Sequence, residues 1–472
     1  MDVVPAAVQW GAPARTAPEV NLIFLLGHVG LVSSPLWALA CGEIGVYVLV
    51  AIESIFLLMG AYAILAALRM AWILRGRRQI ASCSQGSRSS EDCEAGCQDS
   101  CKASWQHLVC VPIYKESDEM VLATVTRLNL STAAPRMRVV FAMEEATDRT
   151  EERFDLYKSC LSNVPEVCFY VHPAGASKGE IRGLCSNLAY ALSQDVTALL
   201  QRGDGSLETI SKYEYNRFYF RIPIPCVLTK LDSQVHLPPN YFEDLELLSC
   251  QATTSEAVVW QPLPVSLLNR EQSYGPSRAL TSMRTFCYPT LFGLDVMVVT
   301  CYSLPLLQYV KMGYHHPGYM GEDMMMLAQA AVCHRRARVV MLPVLVAVAP
   351  PIDSTLCGSM MEANRQGVRW AAQTAEVAEF SWRFRAKGTS CRSLWGLLKY
   401  WLVRIALING LGLFSLSLAV ATAAFATSFP HDQALLLQIL DKLLQLVIVL
   451  LLFVIPCYEQ YLASLSPDPG PC

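Results

Sequence analysis

The distribution of apolar residues is the feature that most constrains how this chain of 472 residues can fold. Apolar stretches frame a more polar middle and lie at 21–40, 44–74, 405–427 and 435–457. Each reaches about 20 residues or more, the length at which a helix crosses the hydrocarbon core of a bilayer. We therefore predict a transmembrane hairpin at each end of the chain. A cleaved signal peptide is the alternative for the first stretch, which Gly30 and Pro35 weaken.

Basic residues predict how these helices are oriented. They close the second stretch and open the third, at Arg69, Arg75, Arg77, Arg78, Arg392, Lys399 and Arg404. Because positive flanks stay on the cytosolic side of a membrane, the middle of the chain and both chain ends should face the cytosol. The sequence therefore predicts an integral membrane protein, of the plasma membrane or of the Golgi or endoplasmic reticulum.

Charge and cysteine content exclude other classes of protein. A formal net charge of -3 gives no electrostatic reason to expect a nucleic-acid partner. The 18 cysteines of a cytosol-facing protein are expected to be reduced thiols rather than a disulfide framework. Cys93, Cys97 and Cys101 lie in a segment rich in serine, glycine and acidic residues. We favour surface thiols in a linker there, with a zinc site and acylation as the alternatives.

The middle of the chain alternates between strand and helix patterns. Short buried-strand runs are predicted at 108–113, 137–143, 167–171 and 226–231, and helices at 118–130, 150–161 and 180–201. Such alternation predicts an α/β domain with a mainly parallel sheet and helices on both faces. The polar residues 203–217 are expected to form a surface insertion. In such a sheet the ligand crevice lies outside the carboxyl ends of the strands.

These patterns divide the chain into five segments. The N-terminal transmembrane hairpin takes 1–78, a linker 79–104 and the cytosolic domain 105–358. An amphipathic interfacial helix is predicted within 359–394, and the C-terminal hairpin takes 395–472. The lipid bilayer is therefore an expected partner on both sides of the α/β domain.

Candidate binding residues follow the first two strands. Tyr114 and Glu116 follow the first strand, where an aromatic ring and a carboxylate suit the base and ribose of a nucleotide. Glu144 and Glu145 end the second strand and can read the same nucleoside. The alternatives are an ordinary strand-to-helix turn capped by a polar side chain, and two solvated acids.

Carboxylates further along the chain suggest chemistry. Asp232 ends the run CVLTKLD, where it can hold Mg²⁺ or Mn²⁺ beside a diphosphate or simply cap a turn. Glu322 and Asp323 precede a methionine-rich helix, whose dipole alone favours acidic residues. A positioned carboxylate is also what an alcohol needs in order to lose its proton as it attacks.

A helix predicted at 359–385 carries Gln366, Arg369 and Trp370. Gln366 and Arg369 are three residues apart and are expected to share a face. Arginine pairs with phosphate, and an indole stacks on a sugar ring. The alternative is a helix anchored in lipid headgroups. We predict that the helix lies at the membrane and that one end covers the site.

The order of four motifs carries a family resemblance. The motifs are VPIYKES at 111–117, LDSQ at 231–234, GED at 321–323 and QGVRW at 366–370, with PPNYF at 238–242. Together with the apolar flanks, they resemble the inverting membrane glycosyltransferases of family two, which include the cellulose, chitin and hyaluronan synthases. The resemblance spans about 108–384 and implies synthesis of a polysaccharide or glycolipid.

The resemblance implies a role for each candidate residue. Donor binding falls to Tyr114, Glu116, Glu144, Glu145 and Arg369, most often with a uridine diphosphate sugar. Asp232 and Gln234 match the residues that hold Mg²⁺ or Mn²⁺. Asp323 matches the general base, and acceptor binding falls to Glu322, Gln366 and Trp370.

Two departures from the family pattern bear on activity. The family's D-x-D ends here in the amide of Gln234, and Leu184 stands where a lysine is usual, with Arg182 or Lys178 as substitutes. The sequence predicts an enzyme that transfers a sugar from a UDP-sugar to a glycan or lipid acceptor, with inversion and a β-linkage. The alternative is a catalytically impaired relative that serves as a membrane scaffold. Either is compatible with a homo-oligomer.

Overall fold

The computed structural model describes residues 43–86, 106–176, 179–202, 226–249, 257–268, 273–333, 337–349, 355–385 and 431–465, with residues 33, 36, 420 and 424. Nearly all of the predicted spans 21–40 and 405–427 therefore lies outside the described residues. The same holds for the insertion 203–217, for Lys178 and for the cysteines at 93, 97 and 101.

The described residues form one eight-stranded sheet of order β3-β2-β1-β4-β7-β6-β8-β5. The strands are β1 Gln106–Ile113, β2 Met137–Glu144, β3 Glu166–His172, β4 Cys226–Leu231, β5 Val235–His236, β6 Ala257–Ser266, β7 Cys301–Pro305 and β8 Ala337–Val348. The first four lie within two residues of the bounds predicted from the sequence.

The sheet is mixed, and most of its strand pairs are parallel, in keeping with the prediction; antiparallel pairs occur where β5 and β7 join. Strands β3, β2, β1 and β4 run parallel, and so do β6 and β8. Strand β7 runs antiparallel to both β4 and β6, and β5 runs antiparallel to β8. The chain enters β7 at the edge where β4 ends, because Cys301 pairs with Leu231. The α/β class itself is confirmed.

Helices cover both faces of this sheet. Those in the described residues are α1 Glu43–Gly86, α2 Asp118–Asn129, α3 Thr150–Ser159, α4 Leu184–Arg202, α5 Tyr241–Ser249, α6 Gly275–Gly293, α7 Leu306–Lys311, α8 Glu322–Cys333, α9 Leu356–Arg385 and α10 His431–Leu465. The Oγ of Ser117 caps α2 by accepting from the N–H of Met120 at 3.4 Å. Helix α1 continues into the first residues of the predicted linker.

Side chains alternate along the strands into two apolar layers. In β1, Val109 and Val111 join the layer beneath α2, α3 and α5, whereas Leu108 and Cys110 join the layer beneath α4, α6 and α8. All four are essentially excluded from solvent. This period of two, with both faces buried, is why β1 is a continuous apolar run in the sequence.

The two terminal helices pack on the second layer through α6. The rings of Phe286 in α6 and Tyr458 in α10 lie 5.7 Å apart, centroid to centroid. On α1, Ala67 and Met70 are buried in the same layer. Both terminal helices therefore share a core with the sheet.

The other face of each terminal helix is exposed and apolar. Its large exposed side chains include Leu58, Leu65, Leu68, Trp72, Leu443, Leu446, Leu450 and Phe453. In the part of the chain that the structure describes, one segment, Leu57–Arg77, is long and apolar enough to cross a membrane, with a mean hydropathy of 1.9. A single such helix does not distinguish a membrane span from a core helix, so the predicted flanking spans are not confirmed.

Candidate functional site

The candidate site lies where the strand order of the sheet reverses. From β1 the chain first builds β2 and β3 on one side, and β4 then pairs with β1 on the other side. Neighbouring parallel strands whose connections run in opposite directions leave a crevice at their carboxyl ends. Glu116 follows β1, and Asp232 follows β4. The two carboxylates therefore come to one edge of the sheet, as the sequence predicted.

A buried lysine lies at the centre of this edge. Lys230 is 1% exposed, and its Nζ lies 2.6 Å from Oδ1 of Asp232 and 2.5 Å from Oε1 of Glu322. It also donates to the backbone carbonyl of Thr300 at 3.2 Å. The lysine thus links the end of β4, the start of α8 and the residue before β7.

Strand periodicity explains why Lys230 points into the protein. It shares a strand face with Leu228, which belongs to the apolar layer beneath α8. Thr229 points the other way and shares a hydrogen bond of 2.7 Å with the hydroxyl of Ser303. Sequence analysis missed Lys230. The available signal was a lysine inside a buried-strand run, since a buried ammonium needs carboxylate partners.

The carboxylates outnumber the ammonium at this edge. Besides Asp232 and Glu322, the charge of Asp323 acts on Lys230 and that of Glu116 acts on Asp232. Burial alone would lower the pKa of Lys230, but Asp232, Glu322 and Asp323 raise it above its ordinary value. Burial raises the pKa of Asp232, and Glu322 adds to this while Lys230 opposes it. The edge carries an excess of negative charge.

The acidic pair of the GED motif forms the first turn of α8, as predicted. Oδ1 of Asp323 accepts from the N–H of Met324 at 2.9 Å, and Glu322 is buried against Lys230. Unpaired amides and the helix dipole favour carboxylates at this end of a helix. This local explanation accounts for the two acids in α8 but not for their contact with β4.

Helix α9 covers the GED motif. The carboxylate of buried Glu376 accepts from the N–H of Met320 at 3.0 Å and from that of Gly321 at 3.1 Å. Burial raises the pKa of Glu376, although these two amides oppose the shift. A Cβ on Gly321 would lie 2.7 Å from Cγ of Gln373. The helix therefore approaches this turn at a distance that requires glycine.

The three candidate residues of the QGVRW motif lie along one side of α9 but have different surroundings. Arg284 of α6 lies over the ring of Trp370, 4.2 Å from its centroid, and its Nη1 donates to Oε1 of Gln366 at 3.4 Å. Arg369 instead lies 3.6 Å from Glu362, with 66% of its side chain exposed. Both residues lie in one continuous helix three positions apart, so they share a face, with Gln366 towards α6 and Arg369 at its exposed edge. Sequence analysis also missed Arg284.

The predicted nucleoside-binding residues lie at the carboxyl ends of β1 and β2. Tyr114 is exposed, and its N–H donates to Oε2 of Glu116 at 2.6 Å. Glu144 is buried, and its N–H donates to the hydroxyl of Thr147 at 3.2 Å. Oε2 of Glu145 accepts from the N–H of Ala174 at 2.8 Å. The exposed ring of Tyr114 is thus open to a ligand.

Of the two basic residues that could replace the lysine missing at Leu184, the structure describes Arg182. Arg182 lies 3.8 Å from Glu145, at the end of β2. Burial raises the pKa of the Cys185 thiol well above its ordinary value, and the charges of Glu322 and Glu376 add to the shift. Cys185, next to Leu184, therefore lies beside the acidic edge. Lys230 balances part of the negative charge of this edge, and its charge opposes the rise in the pKa of Cys185.

The residues present fit a divalent cation that is bound mainly through a substrate. Within the described residues, no group of three or more His, Cys, Asp or Glu side chains could hold a metal by itself. Mg²⁺ and Mn²⁺ commonly use one or two carboxylates together with substrate phosphates. Asp232, 22% exposed beside an excess of carboxylates, and the exposed amide of Gln234 provide such donors.

No protein-family model and no curated protein matches this sequence. A mannosyltransferase of Pyrobaculum calidifontis, PcManGT, in complex with GDP-Man and Mn²⁺, is similar in structure, with 14% identity, a TM-score of 0.44 and coverage of 88% of this chain and 97% of that chain. S. aureus TarS 1-349 gives 12% identity, a TM-score of 0.35 and coverage of 76% and 90%.

Glucosyl-3-phosphoglycerate synthase from Mycobacterium tuberculosis, in complex with phosphoglyceric acid, gives 12% identity, a TM-score of 0.31 and coverage of 58% and 82%. At these identities and TM-scores, the likenesses carry no inference about the activity of this chain.

Proposed function

We propose that this chain is a membrane glycosyltransferase that moves a sugar from a nucleoside diphosphate sugar to a hydroxyl of a glycan or lipid. One observation carries the proposal. Two segments that are distant in sequence, the end of β4 and the start of α8, bring Asp232, Glu322 and Asp323 around Lys230, at the switch point of the sheet. A crevice at this position is where open α/β sheets bind nucleotides, and a carboxylate at its rim can serve as a base.

The donor is proposed to be a uridine diphosphate sugar. The exposed ring of Tyr114 can stack on a base, and Glu116 beside it can accept from ribose hydroxyls. Lys115, with its Nζ 4.9 Å from the centroid of the Tyr114 ring, adds positive charge on this side. Glu144 and Glu145 complete the group at the end of the neighbouring strand. The choice of uridine rests on the family resemblance alone.

Asp232 and Gln234 would hold Mg²⁺ or Mn²⁺, which neutralises the donor diphosphate when it is bound. The amide of Gln234 contributes an oxygen without charge, so we expect weaker metal affinity than two carboxylates would give. The exposed guanidinium of Arg369 is a further donor-binding candidate. Its present contact with Glu362 is an exposed ion pair, which costs little to exchange for a phosphate.

Asp323 is proposed as the general base. It accepts the proton of an acceptor hydroxyl as that oxygen forms a bond to the anomeric carbon and the bond to the diphosphate oxygen breaks. The bonding electrons leave with the nucleoside diphosphate, and one displacement inverts the configuration. An α-linked donor therefore gives a β-linked product. Glu322, fixed by Lys230, shapes the acceptor side of the site together with α9.

Helix α9 is proposed to close the acceptor end. Trp370 can present its indole edge to a sugar while Arg284 covers the ring face, and Gln366 lies in the same group. The exposed apolar faces of α1 and α10 support a position against the bilayer. The domain would then face the cytosol, as the basic flanks predict. At that position the site could take either a glycan or a membrane lipid as its acceptor.

A scaffold without activity is the second candidate. It is favoured by Gln234, which is exposed where the family carries a second metal-binding carboxylate. A chain that keeps the fold but no longer holds the metal would bind partners through the same surface. Calorimetry with UDP and Mn²⁺ separates the two candidates, because a scaffold of this kind would bind neither.

The decisive experiment offers membranes containing the full chain a panel of radiolabelled UDP- and GDP-sugars, with Mn²⁺ titrated. We expect incorporation from a UDP-sugar, with β-configuration in the product. An α-product from an α-donor would rule out the single displacement. If no donor is incorporated and UDP does not bind, the scaffold takes the place of the enzyme. Product length then separates polymerisation from single addition.

A further inference from the structure

Lys230 makes as many contacts as an ammonium group can. It has three N–H bonds, and three acceptors from three segments surround it: Asp232 at 2.6 Å, Glu322 at 2.5 Å and the carbonyl of Thr300 at 3.2 Å. Its Nζ also lies 5.8 Å from the centroid of the Tyr302 ring. An ammonium with these partners, excluded from solvent, is held in one position.

Stability alone does not explain this arrangement. Removing charges from water costs nearly as much as their attraction returns, so a buried ion pair is often no more stabilising than apolar residues of the same volume. The surrounding layer consists of such residues, for example Leu228 and Met325. What the lysine provides that leucine cannot is a fixed separation between two carboxylates that would otherwise repel each other.

The two carboxylates belong to the two halves of the site. Asp232 ends β4 on the donor side, whereas Glu322 directly precedes the proposed base in the first turn of α8. A contact that fixes Glu322 therefore fixes the start of α8, and with it Asp323. Reaction rates depend steeply on such placement, since an error of about 1 Å can cost about 100-fold.

We infer that Lys230 is a positioning residue for the transfer reaction, an inference that rests on the proposed function. Its ammonium holds the first turn of α8 at a set distance from the end of β4, so that Asp323 meets the acceptor hydroxyl in line with a donor bound at Asp232. Lys230 itself is covered by its partners and does not touch the substrate.

The test compares the full chain with Lys230→Met, Lys230→Gln and Lys230→Arg. Lys158→Met, which changes an exposed lysine of α3, is the matched control. We expect kcat to fall at least about 100-fold in Lys230→Met while the donor KM changes by less than about threefold. Lys230→Arg should recover at least about tenfold of this loss, because a guanidinium can also bridge two carboxylates. Thermal unfolding verifies the fold of each variant.

Three outcomes would overturn the inference. A Lys230→Met or Lys230→Gln chain that is folded and keeps kcat within about threefold of the unaltered chain would show that placement does not depend on the lysine. A loss expressed wholly as a higher donor KM would make Lys230 a donor-binding residue instead. If neither variant folds, the lysine serves the fold. By contrast, an unaltered chain that turns over no donor contradicts the proposed function itself.

Discussion

Two buried cation clusters have similar ingredients and opposite surroundings. In the Arg138 cluster, Arg138 of β2 contacts Asp195 of α4, with Nη2 2.6 Å from Oδ1, and also contacts Glu166 of β3. In the Lys230 cluster, Lys230 contacts Asp232 and Glu322. The first lies where β2 and β3 begin, and the second lies where β4 ends. A strand end and a strand start thus carry comparable ion pairs.

The clusters differ in how well their carboxylates are satisfied. Asp195 is 0% exposed and also accepts from the thiol of Cys168 at 3.3 Å and from the hydroxyl of Tyr170 at 3.1 Å. Asp232 is partly exposed, and its pKa is raised. A fully buried carboxylate surrounded by several donors stabilises the fold, whereas a partly exposed one at a crevice, such as Asp232 beside Lys230, keeps a side open to a ligand. This difference assigns the first cluster to the fold and the second to the site.

The largest expected effect is that of Asp323→Asn at the Lys230 cluster. An amide cannot accept the acceptor proton, so we expect the transfer rate to fall by about 1000-fold or more. Binding of UDP with Mn²⁺, measured by calorimetry, should remain, and asparagine is also tolerated in the first turn of a helix. Turnover near that of the unaltered chain would show that another group is the base. The assignment of the Lys230 cluster to the site would then lose its main support.

Asp195→Asn tests the other cluster. Removing one partner of a buried ion pair leaves Arg138 undercompensated, so we expect the free energy of unfolding to fall by about 3 kcal/mol. The transfer rate per folded molecule should not change. Denaturant unfolding and turnover of the same preparation measure both quantities, with Asp155→Asn on the exposed side of α3 as the control. A variant that loses rate but not stability would reverse the assignment.

The sequence predicted the half of the sheet that is built from local alternation. Strands β1 to β4 and helices α2 and α3 are visible because each is a local run of apolar or amphipathic residues bounded by polar ones. Strands β6 and β8 were not assigned, since they pair across a long separation, Ala257 with Ala337. The direction of β7 depends on where the chain re-enters the sheet, which no local pattern encodes.

The candidate site shows the same division. Glu116 and Asp232 were predicted to lie at the crevice because each follows a strand of the sheet, and both follow neighbouring parallel strands in the structure. Lys230 and Arg284 were missed because their roles depend on α8 and α6 packing over them. For Arg369, helical periodicity predicted the face it shares with Gln366, but its exposure depends on how α9 packs on α6.

Acid should weaken the interior behind the Lys230 cluster. His315 contacts the hydroxyl of Tyr302 at 2.8 Å, and burial, with a smaller effect of Lys230, lowers its pKa to about 3. Since the unfolded chain binds this proton near pH 6.5, stability should fall as the pH drops from there towards 3 and fall no further below it. We expect a loss of about 2 kcal/mol by about pH 5. In His315→Gln this part of the pH dependence should be missing, and an unchanged profile would contradict the assignment.

Gly321→Ala tests how the Lys230 cluster is covered. The new methyl group would lie 2.7 Å from Cγ of Gln373, so α9 has to shift, at a cost of about 1–2 kcal/mol in stability. Because α9 holds the GED turn through Glu376, we also expect turnover to fall by about tenfold. Gly275→Ala in α6, where a methyl group meets nothing within 4 Å, is the matched control. Equal effects of the two substitutions would mean that α9 does not constrain the site.

Glu166→Gln should have the smallest effect and sharpens the comparison within the Arg138 cluster. Glu166 is 46% exposed, so water screens its contact with Arg138, whereas Asp195 on the other side of the guanidinium is fully buried. We expect a loss of less than about 1 kcal/mol and no change in turnover. The ratio of this loss to that of Asp195→Asn measures how far burial, rather than charge alone, makes such a cluster structural. If the two losses were equal, exposure would not be what separates the two clusters, and the open position of Asp232 would no longer argue for a ligand.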